Sequence, residues 1–138
     1  SINVFEIEKN KQFKIIDLPG YGYAKVSKSI RADWGVSIDN YLNKRKCLKA
    51  LVIIMDIRHP LKEDDLTLIN WCEANNLPLI VLLNKSDKLS KNKASQEQLL
   101  AINKLEGLST KYFVLITSAK TKEGVNELIE TMMGLLDE

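Results

Sequence analysis

Apolar and polar positions follow two different periods along the chain. Ile2, Val4, Phe5 and Ile7 are interleaved with Asn3 and Glu6, and Phe13, Ile15 and Ile16 lead into Asp17. The polar stretch Lys9-Asn10-Lys11 between them makes this a hairpin of two antiparallel strands. Pro19, Gly20 and Gly22 then break the pattern into a loop. From there Ile30, Trp34, Ile38, Tyr41 and Leu42 recur at helical spacing, with Ser27 or Ser29 as the cap. Three short apolar runs, Ala50–Met55, Leu79–Leu83 and Tyr112–Ile116, carry no polar face and read as strands buried on both sides of a parallel sheet. Between and after them the spacing predicts helices. One covers about 62–75 with Leu66, Ile69 and Cys72 inward, and one covers about 93–106 with Leu99, Ile102 and Leu105 inward. The last carries Val125, Leu128, Ile129, Met132, Leu135 and Leu136.

Strands alternating with helices predict an α/β fold, an open, mostly parallel sheet with helices on both faces and one antiparallel edge strand. Such sheets bind ligands at the carboxyl ends of their strands. The 138 residues, 45% apolar and 28% charged, suit one domain spanning 1–138. A net charge of +2 does not by itself announce a nucleic-acid binder. Cys47 and Cys72 lack metal-ligand spacing and read as reduced thiols in preference to a single disulfide, Cys72 in a core stripe. No apolar run approaches the roughly 18 residues of a membrane helix, and no signal-peptide pattern opens the chain, so the expected setting is reducing and aqueous.

Three polar segments sit directly after predicted strands. Asp17-Leu18-Pro19-Gly20 combines a carboxylate able to hold Mg²⁺ through a water with a glycine whose N–H can approach a terminal phosphate. The same four residues also make an ordinary turn. Asn84-Lys85-Ser86-Asp87 offers a carboxylate that can accept from both adjacent donors of guanine, N1–H and the exocyclic amino group; adenine has no such pair on that edge. Lys85 has an apolar stem that can lie over a flat base, and Asn84 can tie neighbouring loops together. The alternative is a polar loop capping the next helix. Thr117-Ser118-Ala119-Lys120 is small enough for the Ala119 N–H to reach a base carbonyl, or is simply a strand-to-helix loop.

Taken in order on one sheet edge, Asp-x-x-Gly, Asn-Lys-x-Asp and Ser-Ala-Lys resemble the Ras-like (TRAFAC) GTPases. Asp17–Lys25, DLPGYGYAK, and Asp56–Leu61, DIRHPL, narrow this: the chain resembles the EngB (YihA/YsxC) family of bacterial ribosome-assembly GTPases from about Ile2 onward. The resemblance implies a P-loop NTPase-like fold that binds GTP/GDP with Mg²⁺. The base would meet Asn84, Lys85, Asp87, Ser118, Ala119 and Lys120; the phosphates would meet Asp17, Leu18, Pro19 and Gly20, with Asp17 on the metal through water. It also implies a cytoplasmic bacterial monomer acting in assembly of the large ribosomal subunit through its rRNA and proteins, with no membrane or DNA partner, and a link to cell division and septation.

Two departures qualify that picture. No G-x-x-x-x-G-K-[ST] loop occurs in these residues, nor a threonine-bearing first switch. In the family the P-loop follows a strand lying between those that end here at Asp17 and Asp56. The expectation is an N-terminally incomplete domain, inactive as a GTPase on its own, with unpaired backbone groups between those two strands. Second, Tyr21 stands where Ras-like enzymes place a glutamine that orients water, so no catalytic residue is assigned. His59 reads as a loop residue held by Pro60. Lysines cluster at 44–49 with Arg45, and again at Lys85, Lys88, Lys91 and Lys93, giving either an RNA-facing surface or a solvated one. The rival function is a nucleotide-independent adaptor that keeps the G-domain surface; dynamin-like and dinucleotide-binding readings fit the motifs less well.

Overall fold

The computed structural model describes residues Asn3–Glu8, Phe13–Asp17 and Leu48–Asp137. The helix expected over 30–42, the loop residues Leu18, Pro19, Gly20 and Tyr21, the basic run 44–46 and Cys47 lie outside them. The strands are β1 (Asn3–Glu8), β2 (Phe13–Asp17), β3 (Leu48–Asp56), β4 (Leu79–Asn84) and β5 (Tyr112–Ile116). The helices are α1 (Glu63–Ala74), α2 (Lys91–Leu105) and α3 (Val125–Leu136).

The five strands form one sheet in the order β2-β1-β3-β4-β5. The pairs β3–β4 and β4–β5 are parallel, whereas β1 runs antiparallel to both β2 and β3. The hairpin is therefore where the sequence puts it, but the antiparallel strand is internal and not at the sheet edge as expected. The place between the strands ending at Asp17 and Asp56, expected to hold unpaired groups, is taken by β1, whose Val4 lies opposite Ile53 of β3 and Ile16 of β2. Because β2 and β3 run in the same direction, Asp17 still ends at the same sheet edge as Asp56 and Asn84.

Alternation along β3 and β4 feeds two cores. Leu51, Ile53, Met55, Leu79, Val81 and Leu83 face α1 and α2; Ala50, Val52, Ile80 and Leu82 face α3. This double burial is why both strands read as unbroken apolar runs. The stripe of α1 is Leu68, Ile69 and Cys72 together with the buried Asp65, while Leu66, expected inward, is 42% exposed. Asp65 takes the fourth stripe position because its carboxylate accepts the Lys62 N–H at 2.9 Å, at the helix start. Burial pushes the Cys72 thiol up to about 12, which makes it an inert core group at neutral pH.

On α2 the outcome also differs from the periodicity. Ala94, Ala101 and Leu105 are buried and Leu99 is 60% exposed. Gln98 turns toward the sheet instead, and its Nε2 donates to the Val114 carbonyl at 2.9 Å. The helix begins earlier than expected because Ser90 caps it, accepting from the Lys93 N–H at 3.2 Å. On α3, Leu135 is buried and Leu128, Met132 and Leu136 pack against the second core, leaving Val125 and Ile129 exposed.

The turn into β5 is pinned from α1. The Glu73 carboxylate accepts from the Ser109 N–H, the Ser109 hydroxyl at 2.6 Å and the Thr110 N–H at 3.0 Å. The Ser109 hydroxyl, followed by the two N–H groups, holds the Glu73 carboxyl below its usual value. A depressed carboxyl contributes stability above its unfolded value of about 4.3, and loses it as pH falls through the lower folded value. Glu73→Gln is therefore expected to lower the thermal midpoint modestly at neutral pH. Its midpoint should converge on that of the parent protein in acid. Melting curves of both proteins across the acid range check this, and a gap that stays constant with pH would contradict it.

Candidate functional site

The carboxyl ends of β3, β4 and β5 bring the predicted polar loops together. Asn84 closes β4 level with Asp56 of β3, and its carbonyl accepts the Ile57 N–H at 2.9 Å. On the other side the Thr117 hydroxyl donates to Asn84 Oδ1 at 3.3 Å, and the Ser86 N–H donates to the Thr117 carbonyl at 3.1 Å. Asn84 is thus tied to the loops on both sides. Lys85 takes a left-handed backbone, φ 65°, which turns the chain sharply into a 3-10 turn over Ser86–Lys88. A non-glycine residue there costs about 1–2 kcal/mol, so the flanking hydrogen bonds must hold it.

Asp87 and Ser118 meet across the two loops. The Ser118 hydroxyl, with the residue only 1% exposed, donates to Asp87 Oδ1 at 2.7 Å and accepts from the Thr121 N–H at 3.1 Å. That donation is the main reason the Asp87 carboxyl lies below its usual value. The carboxylate is consequently an acceptor throughout the neutral range, and Ser118 fixes which way it points. Ala119 and Lys120 are exposed at the rim, and the Ala119 N–H forms no hydrogen bond among the described residues.

Two contacts here were not assigned from the sequence. The Ser86 hydroxyl donates to Glu123 at 2.5 Å, a second link between the loops. Arg58 clasps Asp56: its Nε reaches Oδ1 at 3.0 Å and its Nη2 reaches Oδ2 at 2.7 Å. The acidic end of a buried strand beside the Asn84 loop was the available signal for Asp56. Nothing in the spacing pointed to Glu123. His59 is exposed and its N–H donates to the Asp56 carbonyl at 3.0 Å, a turn contact.

Asp17 ends β2 opposite Asn3, three strands from β4 along the same edge. At about 4.8 Å per strand this is roughly 14 Å. Leu18, Pro19 and Gly20 follow Asp17 outside the described residues. Lys85, Lys88, Lys91 and Lys93 are all exposed around the Asp87 loop.

Comparison with known proteins places this geometry in context. Residues 38–138 match the elongation factor Tu GTP binding domain family. A probable GTP-binding protein EngB from Colwellia psychrerythraea is 48% identical over 108 residues, 78% of this chain and 47% of that one. One from Haemophilus influenzae is 42% identical over 127 residues, 92% of this chain and 61% of that one. One from Ruthia magnifica is 41% identical over 136 residues, 96% of this chain and 67% of that one. The chain thus spans about half to two thirds of the length of these relatives. Among solved structures, translation elongation factor SelB from Methanococcus maripaludis aligns with a TM-score of 0.57 at 23% identity, over 63% of this chain and 20% of that one, which supports the fold.

Proposed function

The chain belongs to the EngB family of GTP-binding proteins, and on that footing we propose that it is the base-reading part of a guanine-nucleotide switch. Asp87 accepts from N1–H and the amino group of guanine, the Ala119 N–H donates to the base carbonyl oxygen, and the Lys85 stem covers the ring. Asn84, Ser118 and Lys120 complete the rim. The phosphates lie toward Asp17, Leu18, Pro19 and Gly20. Asp17 would be the residue to hold Mg²⁺, which would supply positive charge to the phosphate oxygens. The observation that carries the reading is the Ser118–Asp87 hydrogen bond, which ties the carboxylate of one loop to the residue that precedes Ala119 in the other.

The cellular role follows as part of the same proposal: a GTP-dependent factor in assembly of the large ribosomal subunit, with consequences for cell division. The exposed lysines at 85, 88, 91 and 93 supply a surface for rRNA, whose binding would weaken steeply with salt.

Binding of fluorescent GDP to the full-length protein with Mg²⁺, competed by GTP, GDP and ATP, tests the nucleotide reading. GDP and GTP are expected to displace the probe at equivalent concentrations, and ATP to fail at about 100-fold excess. Equal competition by ATP would overturn the guanine reading, and no binding at all would favour the adaptor.

A further inference from the structure

Asp56 and Arg58 lie beside the base-reading loop without belonging to it. Asp56 is the last residue of β3 and is level with Asn84. Arg58 bonds both oxygens of its carboxylate, giving Oδ1 the backbone N–H at 2.9 Å and Nε at 3.0 Å, and Oδ2 the Nη2 at 2.7 Å. The Lys85 ammonium lies 3.8 Å from Oδ2, the oxygen that Nη2 also bonds. The Arg58 side-chain hydrogen bonds hold the Asp56 carboxyl well below the usual carboxylate range, so this acceptor stays charged.

Lys85 needs such a partner. Its side chain is 56% exposed, against 22% for Asp56. A lysine that exposed ordinarily samples many rotamers, and ordering it on a ligand has an entropic cost. Here the tip lies within ion-pair distance of a carboxylate that Arg58 holds by three hydrogen bonds, which biases the direction of the four-carbon stem.

We propose that Asp56 is a positioning residue for the nucleotide base, holding the Lys85 ammonium so that the lysine stem forms a ready platform, with Arg58 fixing Asp56 in place. The inference rests on the guanine reading of the Asn84–Asp87 loop. Preordering one long side chain is worth roughly three- to tenfold in affinity. Asp56→Asn should therefore release fluorescent GDP from the full-length protein about three- to tenfold faster. Because the pair is exposed, this difference should shrink at high ionic strength.

The decisive comparison is a double-mutant cycle with Lys85→Met, which keeps an apolar stem and removes the charge. In that background Asp56→Asn should change GDP release by less than about 1.5-fold. Release at the parent rate by Asp56→Asn alone, or the same acceleration with and without the Lys85 charge, would overturn the positioning role; the latter pattern marks Asp56 as merely structural. Asp87→Ala in the same assay separates the two claims. Retained GDP binding by Asp87→Ala overturns the base reading itself, and absence of GDP binding by the parent protein overturns both.

Discussion

Asp87→Asn is expected to switch the site from guanine to xanthine nucleotides. Guanine presents two donors side by side, and a carboxylate accepts both. Xanthine presents one donor and one carbonyl oxygen, which a carboxamide matches with one acceptor and one donor. The Ser118 hydroxyl would keep its role, since the carboxamide oxygen can accept it as Asp87 Oδ1 does now. Against guanine the carboxamide keeps one acceptor and turns its own N–H toward the second donor; about 1.5–3 kcal/mol for the lost charge-assisted bond and about 1–3 kcal/mol for the unpaired donor should weaken GDP by roughly 10²–10⁴-fold. Xanthosine diphosphate should gain by a comparable factor. Competition of both nucleotides against a fluorescent probe, on parent and variant, measures this. A variant that keeps its GDP affinity would remove Asp87 from the base-reading role.

The second large effect concerns the backbone that carries Ser118. Gly124 caps α3 in a left-handed conformation, φ 78°, and the Glu123 carbonyl beside it accepts the Ser118 N–H at 3.1 Å. A Cβ added at Gly124 would run into the Ile116 carbonyl oxygen and reach Thr117 Cγ2 at 3.0 Å. The first obstacle is strand backbone, which cannot rotate aside. Gly124→Ala is therefore expected to cost about 2–5 kcal/mol from left-handed strain plus overpacking. The thermal midpoint should fall by on the order of 10 °C. Gly124→Asn tolerates the left-handed backbone better but brings the same Cβ. It should be nearly as destabilised, which separates the collision from the dihedral cost. A midpoint unchanged by Gly124→Ala in calorimetry would contradict the account.

Much of this was legible in the sequence because the strands are buried on both faces. Unbroken apolar runs such as Leu79–Leu83 have few alternatives once helical stretches flank them. The polar residues that end those runs are then forced to one sheet edge, which is why the Asn84 and Thr117 segments stand out in the sequence as a shared site. What periodicity could not settle was which of two neighbouring apolar residues faces in. On α1 the choice was made by Asp65, a polar group with a hydrogen-bonding task, and on α2 by Gln98 reaching a strand carbonyl. Both sent a leucine outward, Leu66 and Leu99.

The position of β1 was illegible for a related reason: a hairpin's pattern fixes its own register but not which of its strands meets the rest of the sheet. The braces around the site, Ser86 with Glu123 and Asp56 with Arg58, join residues whose types are ordinary in loops, and only their distances distinguish them.

The central claim is that the loops after β4 and β5 together read a guanine base. A structure of the full-length protein with bound GDP tests it most directly. The account predicts the base between these loops, with Asp87 within hydrogen-bonding distance of N1 and the amino group, the Ala119 N–H on the carbonyl oxygen, and Ser118 still bonded to Asp87. A guanine bound elsewhere, or one whose N1 edge faces any group other than Asp87, would contradict it.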